Sequence, residues 1–330
     1  MAKQPALCVT IGPMLKIRFF NVAEGDSILL EYSGGDAPFR VLVDCGRNEL
    51  PESEGSLRMT AAEHLKRLGL SRIDALVITH LHVDHLANLP EIMKSVRFGR
   101  IYSTFYPADP AVRLQQDPTR LKPVRDLLRD LNTWAECVQA ADAAGTERIL
   151  LTEDTQILTD ERYGSIFIRL PNGNSLAGQN LVYSSLCAGL PVPESVINWA
   201  AQSRNPNSLR LRVTYAGRTI LLDGDYYAAD AEKEVQVPCD ILKAAHHGDR
   251  KSMTEKLAAA LRPKYAVISC KREYDAVKDR PSRQTADLLR QNGASVYYTD
   301  CFAEEGCEPS YHEELVFTVM EDGRIIPPSE

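Results

Sequence analysis

Five of the seven histidines in this 330-residue chain fall in two tight groups. His80, His82 and His85 lie in the run Thr79-His-Leu-His-Val-Asp-His85, and His246 and His247 are adjacent. Imidazole is the commonest metal ligand at neutral pH, and carboxylates complete such sites. Both groups stand next to aspartates, a pattern that packing alone does not explain. The fold must therefore bring two distant stretches of chain to one place, around a metal.

Composition narrows the class. Hydrophobic residues make up 44% and charged residues 25%, as in a globular protein and unlike a disordered or fibrous one. A formal net charge of −7 argues against a protein whose main task is coating polyanions, although a local basic groove survives such an average. The cysteines Cys8, Cys45, Cys137, Cys187, Cys239, Cys270, Cys301 and Cys307 are scattered without C-x-x-C spacing. They read as reduced, mostly buried thiols. No apolar run approaches the roughly 20 residues that span a bilayer, and no secretory signal is visible, so the expectation is a cytoplasmic protein without membrane contact.

Along the chain, residues 15–20, 26–32 and 39–44 read as strands separated by Glu24-Gly25 and Gly34-Gly35-Asp36. A helix is predicted over 57–68, and the apolar run 73–78 reads as a strand covered on both faces. That strand delivers His80, with a helix expected from about His85. Residues 106–146 are rich in proline and polar residues around one longer helix, 124–143. Strands are predicted over 147–151 and 165–170, and then loops over 171–207 with a short helix at 194–202. From Ser208 a hairpin about Ala216-Gly217 ends at Asp223-Gly224-Asp225, and a strand over 240–244 ends at His246-His247-Gly248. Helices at 254–261 and 282–292 alternate with strands at 265–269 and 295–298, and 314–319 adds a last strand.

Leaving a strand, alternate residues point to one side, so His80 and His82 can converge on one ion. Asp84 and His85 follow as the chain turns into a helix and can reach a second point. Asp225, at another strand's end, is the natural bridge. Two-metal sites hold ions roughly 3.5–4 Å apart, bind a hydroxide nucleophile and clamp an oxyanion.

The H-x-H-x-D-H run, the Leu221-Leu-Asp-Gly-Asp225 strand end and a later strand-end histidine resemble the metallo-β-lactamase superfamily. Asn21-Val-Ala-Glu-Gly-Asp-Ser27, Leu42-Val-Asp-Cys-Gly46, Asn207-Ser-Leu209, Leu242-Lys-Ala-Ala-His-His-Gly248, Pro281-Ser282 and Val296-Tyr-Tyr-Thr-Asp300 are more specifically similar to the soluble hydrolase domain of ComEC/Rec2 competence proteins. The resemblance implies an α/β fold, an αββα sandwich of two mixed sheets flanked by helices. It implies one such domain over 1–330, with a helical and loop insertion at 106–200. His80 and His82 would serve a first metal, and Asp84 and His85 a second. Asp225 would bridge, and His246 or His247 would complete the second position. Adjacent strand-end residues face opposite ways, so one of the pair ligates. We lean to His246, leaving His247 near the leaving group as a catalytic group beside Asp84. The superfamily's further first-site histidine is missing, since none occurs between His85 and His246. Asn205, Asn207, Ser208 or water would take its place and weaken that position for zinc. The expected cofactor is one or two divalent ions, Zn²⁺ or Mn²⁺.

Other polar residues have plainer readings. Asp223 is a weaker candidate than Asp225, Asp44 orients the first motif by hydrogen bonding, and Asp26 holds a turn. Lys243 reads as a surface lysine with a buried stem, His64 as a helix-surface residue and His312 as solvated. Arg250 and Lys251 favour an anionic substrate or merely flank a loop.

The functional expectation is a metal-dependent hydrolase that uses a metal-bound hydroxide on a phosphodiester, either nucleic acid or a small phosphoester. The alternatives are hydrolysis of another ester, thioester, lactone or amide bond, and a binding or regulatory protein that keeps its metal for structure. A di-iron flavoprotein-type oxidoreductase fits least, because an acidic residue is usual where His82 stands.

Overall fold

The computed structural model describes residues 12–35, 37–160, 164–171, 173–301 and 311–329. Fifteen strands are seen among them: β1 (Met14–Phe20), β2 (Ile28–Ser33), β3 (Phe39–Val43), β4 (Arg72–Val77), β5 (Arg97–Ser103), β6 (Glu147–Leu150), β7 (Thr155–Asp160) and β8 (Gly164–Arg169). The others are β9 (Arg210–Tyr215), β10 (Arg218–Leu222), β11 (Ile241–Lys243), β12 (Tyr265–Ile268), β13 (Ser295–Tyr298), β14 (Glu314–Met320) and β15 (Ile325–Ile326). They form two mixed sheets, ordered β15-β14-β1-β2-β3-β4-β5-β6 and β13-β12-β11-β10-β9-β8-β7.

Strand periodicity builds the layers. Val41 and Val43 of β3 and Ala75 and Val77 of β4 point into one core with Ile220 and Leu222 of β10 and Val267 of β12. The alternate residues Leu42 and Leu76 join a core under the helices of the first sheet, and Leu221, Leu242 and Ala266 join another under those of the second. Each fully buried Leu, Ile or Val contributes about 1.5–3 kcal/mol, so a one-residue slip in any central strand is heavily disfavoured. The result is the expected arrangement of two packed sheets with helices outside.

In each sheet the central strands run parallel: β3 through β6 in the first, β10 through β13 in the second. The loops that follow β3, β4, β10, β11 and β12 therefore gather at one edge of the sandwich, which is the usual place for a ligand in such sheets.

The structure corrects several expectations. Within 106–200, β6 extends the first sheet and β7 and β8 extend the second, so this stretch is partly built into the core. The helix Lys122–Ala143 packs there with Ser175–Cys187 and Glu194–Gln202. Ser175–Cys187 was expected as loop. Its serines, asparagine and Gly178 are poor helix formers, and packing overrides propensity: a Cβ at Gly178 would lie 3.0 Å from the Trp199 ring. The helix expected over 57–68 is shorter, Ala61–Arg67, because Thr60 caps it reciprocally with Glu63. The turn carrying Asp84 and His85 is a single helical turn, Val83–Leu86. Cys45, Cys137, Cys187, Cys239 and Cys270 are free, whereas Cys301 is disulfide-bonded, against the expectation of reduced thiols throughout. Cys8 and Cys307 lie outside the described residues.

Candidate metal centre

Four strand ends supply the site. After β3 the chain turns at Asp44, a non-glycine residue held at φ 59°. Its carboxylate accepts the Thr79 amide (2.8 Å), the Thr79 hydroxyl (2.7 Å) and the His85 Nδ1–H (2.8 Å). One buried carboxylate thus fixes both ends of the 79–85 loop. After β10, Asp223 turns away to the Arg210 Nε at 2.9 Å, and Gly224 lets Asp225 swing inward. After β11 come His246 and His247 at φ 48° and 56°, consecutive left-handed residues that are both buried. Such backbone costs about 1–3 kcal/mol per residue and persists where the surroundings over-determine it, often at functional sites. It also explains why the strand-end rule did not settle this pair: the strand has already ended at Lys243.

Asp84, His85, Asp225 and His247 converge. Asp225 Oδ1 lies 3.3 Å from His85 Nε2 and 3.6 Å from His247 Nε2, and Asp84 Oδ2 is 3.4 Å from His247 Nε2. His85 Nε2, His247 Nε2 and Asp225 Oδ1 are buried without any hydrogen-bond partner, while the outer nitrogens of the two rings donate to Asp44 and to the Ser269 carbonyl. Gly25 makes this closure possible, since a Cβ there would meet the Asp84 carbonyl at 2.6 Å.

His80 and His82 form the other half. His80 Nε2 faces His82 Nδ1 at 2.8 Å and Asp225 Oδ2 at 3.7 Å. Ser208 Oγ sits 3.1 Å from His80 Nδ1 and accepts the Asp225 amide, so it orients both and does not face the ion position. Asn207 turns to Gln179. Of the three side chains expected in place of the missing histidine, Asn205 alone keeps a buried oxygen without a hydrogen bond.

The sequence leans to His246, whereas the structure brings His247 Nε2 beside Asp84, His85 and Asp225. His246 Nε2 stands 3.8 Å from Asp225 Oδ2 and receives Asn205 Nδ2 and Arg280 Nη2, while its Nδ1 is 2.7 Å from Asp249. Lys243 is fully buried and pairs with Asp26 and the Gly224 carbonyl, which overturns its surface reading; the lysine offsets one carboxylate of a strongly acidic centre. His64 is also buried, stacked on Phe20 at 4.4 Å and remote from the ligand set. His312 is half-buried at the surface, and Arg250 and Lys251 are exposed. Arg204, Arg280 and Glu24 were not singled out from sequence. Arg204 Nη1 bonds the Leu81 carbonyl and Asp130 of the long helix, and Arg280 lies in a loop of alternating charge that has no periodicity to mark it.

Charge follows from this packing. Burial lowers His80 and His82 far below the usual imidazole range, helped by His85 and Arg204 respectively, and keeps both rings in the neutral, ligand form. Burial opposes ionisation of Asp84 and Asp225, but neighbouring imidazoles outweigh it, and both carboxyls are held well below their usual range. For His85, Asp225 and Asp44 outweigh burial and raise the pKa.

A fold of two packed sheets with a histidine and aspartate centre at its edge defines a class. Residues 24–152 match the Metallo-beta-lactamase superfamily. Among curated proteins it is 22% identical over 316 residues to ComE operon protein 3 of Bacillus subtilis, which covers 89% of this chain and 34% of that protein. The chain thus spans about a third of that relative's length. It is 28% identical over 100 residues to Endoribonuclease ysh-1 of Neurospora crassa, 28% of this chain and 11% of that one. Among solved structures, the metallo-β-lactamase fold protein YhfI of Bacillus subtilis gives a TM-score of 0.46 at 13% identity, over 86% of this chain and 96% of that one. No helix among the described residues is long and apolar enough to cross a membrane.

Proposed function

We propose that this chain is a phosphodiester hydrolase that depends on divalent metal ions. The observation that carries the reading is the convergence of His85 Nε2, His247 Nε2 and Asp225 Oδ1, buried and without hydrogen bonds, beside Asp84 Oδ2. Leaving one buried polar atom unpaired costs about 1–3 kcal/mol. Three such atoms at one point are what a cation's ligands look like.

In this reading Asp84, His85, His247 and Asp225 would hold one ion, and His80, His82 and Asp225 would hold a second, more weakly. Two imidazoles with two carboxylates suit Zn²⁺ or Mn²⁺. Such ions, when bound, supply an activated water and a clamp for phosphoryl oxygens. The protein's part is to place them and the substrate: Asp44 and the Ser269 carbonyl lock the rings of His85 and His247, and Asp84 would orient a water with its remaining lone pairs. A phosphoester is favoured over a neutral ester because Lys271, Lys278 and Arg280 surround Glu24 at the rim. The likeness to ComE operon protein 3 and to an endoribonuclease supports a nucleic-acid phosphodiester among the candidates.

Hydrolysis of bis(4-nitrophenyl) phosphate is the test, with Mn²⁺, Zn²⁺ or Mg²⁺ added to metal-stripped protein and Asp84→Ala as control. Release of nitrophenol by the native chain and not by the control is expected. No release with any ion, from protein shown by metal analysis to be loaded, overturns the reading.

A further inference from the structure

Beside the ligand set lies a cluster with more donors than acceptors. Arg280 Nη2 and Asn205 Nδ2 both point at His246 Nε2, the amide nitrogen at 2.8 Å. A ring nitrogen offers one lone pair when neutral and none when protonated. At least one of the two donors is therefore surplus in the free protein. Arg280 Nε is likewise buried with no hydrogen bond, on a side chain only 8% exposed. These unused donors sit at the edge of the centre, since the same His246 Nε2 is 3.8 Å from Asp225 Oδ2.

The guanidinium is held in place by a small built hairpin. Asp275 and Arg280 exchange backbone hydrogen bonds at 2.9 and 3.2 Å, and the Asp275 side chain takes the amides of Val277 and Lys278 at 3.1 Å each. The Ser282 amide ties the hairpin to the Gly248 carbonyl, one residue past the histidine pair, at 2.7 Å. Glu24, from the loop before β2, receives Arg280 Nη1 at 2.6 Å and Lys278 Nζ at 3.1 Å, with Lys271 Nζ at 4.0 Å. Asp249 at 3.8 Å from Arg280 Nη2 and Asp275 at 3.9 Å from Lys278 Nζ share these cations with Glu24, so the cluster places cationic donors beside an acidic centre without a net excess of charge. Only Arg280 among them presents a planar fork of the kind that matches phosphoryl oxygens.

We infer that Arg280, with Lys278 beside it, is a phosphate clamp: its surplus N–H groups bind a non-bridging oxygen of an anionic phosphoester seated over Asp225, and Glu24 positions the guanidinium for this. The inference rests on the phosphodiesterase reading and adds to it the residue that selects an anionic substrate. Arg204, the other buried guanidinium near the site, does not compete for this part, because its Nη1 is taken by Leu81 and Asp130.

The experiment is calorimetric titration of the Mn²⁺-loaded chain with inorganic phosphate, for the native protein, Arg280→Gln, Arg280→Lys and Lys278→Gln. Charge-assisted hydrogen bonds of this kind predict about 10- to 100-fold weaker phosphate binding in Arg280→Gln, partly restored in Arg280→Lys. The half-exposed Lys278 carries a smaller effect, about 2- to 5-fold, and its substitution leaves the buried packing untouched. Manganese content and melting temperature, measured on each variant, separate clamp loss from metal loss or unfolding. No phosphate binding by the native protein overturns the clamp, as does phosphate affinity within twofold of native in both Arg280→Gln and Lys278→Gln at equal manganese content. Phosphate binding that depends on Arg280, in a chain that turns over no diester, preserves the clamp and sinks the hydrolase reading.

Discussion

The two halves of the centre share Asp225 and differ in how their imidazoles are finished. At the Asp84–His85–His247 half, each ring donates its outer nitrogen to an oxygen acceptor and leaves its inner nitrogen free. At the His80–His82 half, one ring nitrogen faces another at 2.8 Å, and the Ser208 hydroxyl where a further ligand was sought is spent on orienting His80. Outer partners fix tautomer and orientation and raise ligand basicity. In the proposed reading the Asp84–His85–His247 half would be the better-prepared metal position and the His80–His82 half the weaker one, with Asp225 serving both. Ligand count, four side chains against three, separates them together with the hydrogen bonds behind the ligands.

Removing the shared residue breaks the comparison altogether. Asp225→Ala should abolish bound metal at both positions and lower kcat/KM on bis(4-nitrophenyl) phosphate by about 10³-fold or more. Retention of one tightly held ion in that variant would show that the halves do not share the aspartate. Next in size is a matched pair. His247→Ala should strip the tighter equivalent and cut turnover by about 10²- to 10³-fold, whereas His82→Ala should lose only the weaker equivalent, as read by metal analysis after dialysis against a graded chelator. Equal losses in the two variants would remove the asymmetry argued above.

How much of this was legible beforehand follows the same division. The sheets were readable because Val41, Val43, Ala75, Val77, Ile220 and Leu222 alternate with residues of the helix-side cores, and period two survives in sequence. The motif 79–85 and Asp225 were readable because rare, metal-loving side chains cluster there. The choice between His246 and His247 was not, since it depends on two left-handed residues that no side-chain pattern announces. Lys243 and Arg280 escaped for a related reason: a buried cation is recognisable only once its carboxylate, Asp26 or Glu24, is placed beside it across the fold. The helix Ser175–Cys187 escaped because its stability comes from tertiary contacts and not from its own residues.

A smaller change sharpens the comparison from behind the ligands. Asp44→Asn keeps the shape but replaces the acceptor that holds His85 Nδ1–H and the Thr79 amide. Metal affinity at the better-prepared position should fall by about 10- to 100-fold, with the His80–His82 position less affected, measured by competition with a fluorescent chelator. A uniform fall at both positions would mean that Asp44 acts on the whole 79–85 loop and not through His85.

The smallest effect supplies the control, because His64 is buried for packing and holds no ligand position. Burial pulls its pKa from 6.5 down to about 4, against a weaker pull upward from the Asn21 backbone. Below pH 6.5 the unfolded chain binds a proton at this ring that the folded chain does not take up until about pH 4. Stability from this residue is therefore complete above pH 6.5 and declines as the pH falls towards 4. Between pH 7.5 and 5.5 the decline is about 1 kcal/mol. His64→Phe keeps the stack on Phe20 and removes the titration. Urea unfolding at the two pH values should show the variant losing about 1 kcal/mol less than the native chain. The acid sensitivity that remains in the variant then belongs largely to the charged centre. An unchanged pH slope would place the native chain's acid sensitivity wholly in that centre, and His64 would no longer serve as its reference.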